Sequence, residues 1–324
     1  MKIAFVGKGG SGKTTLSALF TRHLAAAGLP VVAIDADINQ NLGQALGVPA
    51  ERLAAIPPLG SHLDTIKELL RGDNPRIGSA AEMVKTTPPG RGSHLLDASR
   101  DNDWHRRFGR PAAGATLMLT GPFSEDDLGV ACYHSKVGAV ELYLNHLVDG
   151  PGEYVVVDMT AGADSFASGM FTRFDVTFLV AEPTTRGVGV YRQYAEYARE
   201  YGVTIKVIGN KVEDAADEEF LREHVGDALA VCLRRSPFVR AMEKGRHPDL
   251  AELEEHNVKA LAWMRDAVDA APKDWARFTR QTVDFHRRNA AAWAAKATGA
   301  DLEAQIDPGF EMGPAALAES RRAR

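Results

Sequence analysis

The feature that most constrains this chain is the stretch VGKGGSGKTT, Val6 to Thr15, set between a β-rich run and a helical pattern. Lys2 to Val6 reads KIAFV, β-branched and aromatic, so a strand is expected over Ile3 to Val6. From Thr14 to Ala27, Leu16, Leu19, Phe20 and Leu24 recur at helical steps, which predicts a helix that Gly28 and Pro30 stop. Gly7, Gly12, Lys13 and Thr14 fill the pattern G-x-x-x-x-G-K-[ST]. There, backbone N–H groups of a loop such as Gly9, Gly10 and Ser11 wrap phosphate, the lysine reaches the β/γ oxygens, and the hydroxyl holds Mg²⁺. The N-terminus of the following helix adds unpaired N–H groups and partial positive charge, both suited to an anion. Strand, loop and helix in register imply a nucleotide site. Lys8 is one lysine more than the pattern needs.

Beyond the loop, short β-rich runs alternate with helical patterns, as expected of an α/β fold with a doubly wound, mostly parallel sheet. Strands are expected over Ile3 to Val6, Val31 to Asp35, Thr116 to Thr120, Tyr154 to Asp158, Val176 to Val180 and Thr204 to Ile208. Most end in a residue able to do chemistry, as ligands in open α/β sheets sit at the carboxyl ends of strands. The second run ends on Asp35 and Asp37. The fourth, YVVVD, closes on Asp158, the position from which an acid reaches the Mg²⁺ shell of a phosphate-loop enzyme.

Composition narrows the function classes. A net charge of -5 argues against a surface built for nucleic acid. Two cysteines, Cys132 and Cys232, make no disulfide framework. No run of about 18 apolar residues occurs and the chain enters a strand directly, so neither a membrane span nor a signal peptide is expected, and a cytoplasmic location is.

GKGGSGKTT with its early lysine, DAD followed by NLG, and VVVDMTAG resemble the deviant phosphate-loop ATPases. That class includes MinD/ParA, the nitrogenase iron protein, the arsenite and tail-anchored-protein ATPases, and the CooC-type nickel-insertion ATPases. DADINQNLG, DxxAG at Asp158 to Gly162 and VIGNKV at Val207 to Val212 look most like the CooC-type group. The resemblance covers Met1 to Ala271 with a gap in the middle. It implies Mg²⁺-dependent ATP hydrolysis by a nucleotide-sandwich homodimer that works on a client protein. Lys8 would then reach across the dimer to the phosphates held by the partner chain. Lys13 would contact the β/γ phosphates, Thr14 would bind Mg²⁺, and Thr15 would bond the α-phosphate. Asp37 would orient the attacking water, and Asp35 and Asp158 would hold waters of the Mg²⁺ shell. Asn210, followed by Lys211, resembles the adenine-reading asparagine. Glu213 is one methylene too long for the usual grip on guanine, so ATP is favoured.

Two segments fall outside the resemblance. Residues 48–115 hold a helical stretch near Leu63 to Leu70, the loop TTPPGRGS and the run DWHRRFGRP, and are expected to form a variable insertion over the switch regions that contacts a client. Arg91 in that loop is either a phosphate or client ligand or a solvated arginine. Residues 272–324 form an extension in which Trp275, Phe278, Phe285 and Trp293 share a helical face, either packed on the ATPase domain or docking a partner. Disorder is expected from Pro308 onward.

A spatial organiser of the ParA/MinD kind and an iron–sulfur reductase are the alternatives to a maturation ATPase. The first would need a membrane helix or a basic DNA-binding face. The second needs a cysteine pair, and here Cys132 would have Ser165 in the second position. CooC-type proteins carry C-x-C near an interface, whereas this chain reads Cys132-Tyr133-His134. A cysteine and a histidine from each of two chains would make a tetrahedral S₂N₂ metal set. Alternatively, Cys132 and His134 pack at the start of a helix over Val137 to Val148.

Overall fold

The computed structural model describes residues 1–99, 102–122, 133–160 and 169–322, with residues 133–135 described in backbone only. Its strands are β1 (Lys2–Gly7), β2 (Val31–Ala36), β3 (Leu96–Asp97), β4 (Arg110–Ala112), β5 (Ala115–Leu119), β6 (Leu147–Val148), β7 (Tyr154–Met159), β8 (Val176–Ala181), β9 (Ile205–Val212) and β10 (Leu229–Arg234). Among the described residues eight of these form one sheet in the order β10-β9-β8-β1-β7-β2-β5-β4. All pairs are parallel except β4 with β5. That edge hairpin turns on Ala113 and Gly114, both at positive φ (47° and 83°), the two-residue turn whose twist matches paired strands.

The β-branched runs form strands because both faces are covered. Along β1, Ala4 and Val6 enter the core on one side while Ile3 and Phe5 enter the core on the other. Behind the second face stands the helix Lys13–Ala26, whose Phe20 meets Phe5 and Phe178 at centroid separations of 5.8 and 5.9 Å. The first face is closed by the helix Tyr133–His146, with Leu142 and Tyr143 fully buried. Such large side chains contribute roughly 1.5–3 kcal/mol each on burial.

The two outlying segments are more closely packed than an insertion and an extension need be. Residues 48–115 are in large part core: Ile66 and Leu70 of the helix Leu63–Arg71, with Trp104 and Phe108, pack under the sheet. Trp104 stacks on Tyr143 at 5.3 Å. The expected disorder beyond Pro308 is overturned. Met312 is 2% exposed, its N–H donates to Thr279 Oγ1 at 3.0 Å, and the helix Pro314–Arg322 returns Ser320 to the Ser93 carbonyl at 3.1 Å. The apolar Phe310, Met312 and Leu317 of the tail cover Leu95 and Phe278, which an extended tail would leave wet.

The two segments hold each other. Arg91 pairs with Asp307 at 2.8 Å, so it is not a purely solvated side chain. Thr87 Oγ1 donates to Gln305 at 3.2 Å, and Asn289 donates to Thr86 Oγ1 at 3.2 Å. Of the aromatic stripe, Trp275 and Phe278 pack together, Phe285 meets Phe171 at 5.7 Å, and Trp293 stays 51% exposed. A π-helical turn over Ala290–Ala294 breaks the 3.6-residue period before the last of the four.

At the amino ends of the strands a buried cluster ties the extension down. Lys2 Nζ donates to the Leu147 carbonyl at 2.6 Å and faces Asp149 at 3.2 Å. Lys273 joins Asp149 (2.5 Å) and Asp175 (2.7 Å). Burial holds the Lys2 ammonium down to about 8, while Lys2 and Lys273 keep the Asp149 carboxyl well below the usual carboxylate range against the cost of its own burial. No helix among the described residues is long and apolar enough to cross a membrane.

Candidate nucleotide site

The site lies at the carboxyl ends of β1, β2, β7 and β9, where the sheet delivers the loop 8–12 and three aspartates to one place. The loop's shape depends on its glycines. Gly12 has φ 92°, and a Cβ there would stand 2.3 Å from Asn210 Nδ2. A Cβ on Gly7 would meet the Val180 carbonyl at 2.6 Å. Lys8 lies half-buried at the loop's rim, with Gly9 and Gly10 exposed beside it.

Lys13 is 7% exposed, and its ammonium contacts Asp37 Oδ2 at 2.5 Å. The other Asp37 oxygen accepts from the Asn39 N–H at 2.9 Å and its amide at 3.0 Å. Asp35 is fully buried and already served: its carboxylate accepts from the Leu42 N–H at 2.7 Å and the Asp37 N–H at 3.2 Å. Asp158, paired in register with Asp35 on the neighbouring strand, differs. Both its oxygens are buried without a hydrogen-bond partner. Burial raises its carboxyl to about 7, and Lys13, with the nearby Thr14 and Ser17 hydroxyls, pulls the other way without fully offsetting it. Asp35 is raised by burial and by Asp158.

One lysine therefore faces three aspartates, and the unpaired oxygens belong to Asp158. A buried carboxylate without a partner is costly, and a divalent cation beside Thr14 would satisfy it. The donor set, carboxylate and hydroxyl oxygen, is one that Mg²⁺ accepts. The residues present fit that ion.

Asn210 and Lys211 reach the loop itself. Asn210 Nδ2 donates to the Ser11 carbonyl and Lys211 Nζ to the Gly10 carbonyl, each at 2.7 Å. Beside Asn210 opens a cleft of about 580 Å³ lined by Gly12, Thr15, Leu16, Lys211, Arg234 and Pro237, large enough for a nucleoside. Glu213 faces Arg235 at 2.6 Å. Sequence reasoning missed the Arg234–Pro237 wall because β10 was not among the expected strands; LAVCLR before Arg235-Ser236-Pro237 was its signal. It also missed Gln40, at φ 51°, whose amide donates to the Asp37 carbonyl at 2.5 Å and accepts from the Gly121 N–H at 3.1 Å. Cys132, the His134 side chain and Ser165 lie outside the described residues.

The family model of the CobQ/CobB/MinD/ParA nucleotide binding domain matches residues 3–248. The carbon monoxide dehydrogenase accessory protein CooC of Rhodospirillum rubrum is 34% identical over 222 residues, 68% of this chain and 78% of that protein. An uncharacterized ATP-binding protein of Methanocaldococcus jannaschii is 30% identical over 232 residues, 71% of this chain and 82% of that protein. The cell division ATPase MinD of Pyrococcus furiosus, 15% identical, superposes with a TM-score of 0.51 over 82% of this chain and 98% of its own, a likeness of fold. The chain belongs to the CobQ/CobB/MinD/ParA nucleotide-binding family and is a phosphate-loop ATPase of CooC-like and MinD/ParA-like type.

Proposed function

We propose that this protein is a Mg²⁺-dependent maturation ATPase, in which ATP binding closes a homodimer and hydrolysis drives metal or cofactor insertion into, or conformational work on, a client protein. The observation that carries the ATP–Mg²⁺ reading is Asp158: a buried, unpartnered carboxylate beside the phosphate loop. The maturation role is supported by the likeness to a carbon monoxide dehydrogenase accessory protein.

Magnesium, when bound, would neutralise charge on the β- and γ-phosphates. Asp158 and Thr14 would hold it, with Asp35 keeping the Asp37–Leu42 loop in place. The phosphates would take over Lys13, now occupied by Asp37. Asp37, released, would turn to orient the attacking water. Asn210 and the Arg234–Pro237 wall would receive the adenine. Lys8, on the rim, would serve the partner chain's phosphates, a cation in trans that can supply about 10³-fold or more in rate.

Three variants and light scattering with and without ATP test this. Lys13→Ala should lose nucleotide binding. Lys8→Ala should bind ATP yet neither dimerise nor hydrolyse it, and Asp37→Ala should bind ATP and accumulate as a dimer. A Lys8→Ala monomer with wild-type turnover would sink the in-trans reading. For the client, a deletion strain should make a metal- or cofactor-deficient enzyme; unchanged loading of its metalloenzymes would remove the maturation reading.

A further inference from the structure

Consecutive residues of a strand send their side chains to opposite faces, yet Asn210 and Lys211 both reach the phosphate loop, at adjacent carbonyls. The backbone arranges this in two ways. Between the pairs Gly209↔Cys232 and Val212↔Arg234, β9 spends one residue more than β10, a bulge of the kind that re-aims a side chain beside a site. Lys211 also takes φ 59°, a conformation rare for a side-chain-bearing residue. Local strain kept in the native state marks a position that the surroundings enforce.

The Lys211 ammonium in turn meets Glu182. This residue follows β8, whose last residue, Ala181, pairs with Gly209. Its Oε1 lies 2.6 Å from Lys211 Nζ, so the ammonium sits between the carboxylate and the Gly10 carbonyl. Glu182 is itself fixed. Its carbonyl accepts from the Thr184 N–H at 2.7 Å, and a Cβ on Gly187 would come within 2.3 Å of that oxygen.

A trans peptide points its C=O and N–H in opposite directions. With the Gly10 carbonyl drawn to Lys211, the Ser11 N–H of the same peptide closes on the Lys8 carbonyl at 3.1 Å. With the Ser11 carbonyl drawn to Asn210, the Gly12 N–H of that peptide faces away from Asn210. A line of contacts thus runs from Glu182 through Lys211 and one peptide plane to the backbone of Lys8.

We propose that Glu182 is a positioning residue for ATP hydrolysis, acting through Lys211 to hold the outer half of the phosphate loop, and Lys8 with it, in its working shape. The inference rests on the ATPase chemistry of the family and holds whatever the client is. Glu182 touches no nucleotide atom by this reading, and the inner half of the loop, from Gly12 onward, keeps its own anchors. Loss of the carboxylate should therefore impair turnover much more than binding.

The test uses the full chain with Glu182→Gln, Glu182→Asp, Lys211→Met and the double variant Glu182→Gln/Lys211→Met. ADP affinity is read by calorimetry and kcat at saturating MgATP. Glu182→Gln should bind ADP within about twofold of wild type while kcat falls about tenfold to a hundredfold, as misplacement of a reacting group predicts. Glu182→Asp, which keeps the charge, should recover part of the rate. The double variant should be no slower than Lys211→Met alone, because both act along one line. Wild-type kcat in Glu182→Gln, losses that add in full, or loss of ADP binding together with turnover would each overturn the proposal. Should Glu182→Gln fail to fold, Glu182→Asp and Lys211→Met read the same split between binding and rate. Turnover by the wild-type chain in the same assay tests the ATPase reading separately.

Discussion

The two ends of the central sheet bury the same residue types to opposite effect. At the amino ends, Lys2, Lys273 and the Met1 amino group face Asp149 and Asp175, three cations against two acids, with contacts of 2.5 to 3.2 Å. At the carboxyl ends, Lys13 alone faces Asp35, Asp37 and Asp158, and both oxygens of Asp158 are unpartnered. In the first set every carboxylate has a cation against it; the second is short of cations by an amount that a metal ion would supply. Burial by itself therefore does not distinguish a structural cluster from a binding site. The balance of charge and the unfilled hydrogen-bonding capacity do.

The comparison breaks most sharply at Asp149. Asp149→Ala takes the carboxylate away from the Met1, Lys2 and Lys273 amino groups and should cost about 3–5 kcal/mol, read as a fall in the denaturation midpoint. A midpoint within error of wild type would show that the cluster is solvated and not structural. Three residues before it in the chain, His146 is buried and neutral, its pKa lowered by burial to about 4. The unfolded chain takes up that proton below about 6.5 while the folded chain does not, so stability should fall as pH drops from 6.5 toward 4, by up to about 3 kcal/mol from this group. His146→Gln should flatten that part of the stability curve, and an unchanged slope would count against it.

Asp158 should behave in the reverse sense. Its folded pKa is raised to about 7, so between the usual carboxylate range and pH 7 the unfolded chain ionises first and stability falls as pH rises. Asp158→Asn should make the nucleotide-free protein more stable at pH 8 by about 1–3 kcal/mol while abolishing Mg²⁺-dependent turnover. A variant that is destabilised would place Asp158 with the structural aspartates. Binding of Mg²⁺ and nucleotide near pH 7 should also release protons from this carboxyl, measured by calorimetry in buffers of different ionisation enthalpy. The smallest effect is expected at Trp293, 51% exposed, where Ala should change stability by no more than about 0.5 kcal/mol.

Much of this was legible before the fold. All six expected strands form in the sheet, each within a few residues of its expected ends, and Asp35, Asp37, Asp158 and Asn210 converge, as their places at or just beyond strand ends imply, on the loop that leads into the helix starting at Lys13. These signals are local: β-branched runs, helical spacing, and a loop whose glycines must adopt conformations other residues avoid. The tail beyond Pro308 was misread because its burial depends on Leu95 and Phe278, more than thirty or two hundred residues away, and no local pattern carries that information.

The sequence by itself determined the phosphate loop, the acids at the strand ends and the class of fold, because each rests on short-range sterics or on periodicity within one element. Only the tertiary structure decided which acid is left without a partner, that Glu182 stands behind Lys211, and that residues 48–115 and the extension brace each other. Those facts depend on which distant groups meet in a low-dielectric interior, where one neighbour more or fewer sets whether a carboxylate is satisfied, raised in pKa or free to take a cation.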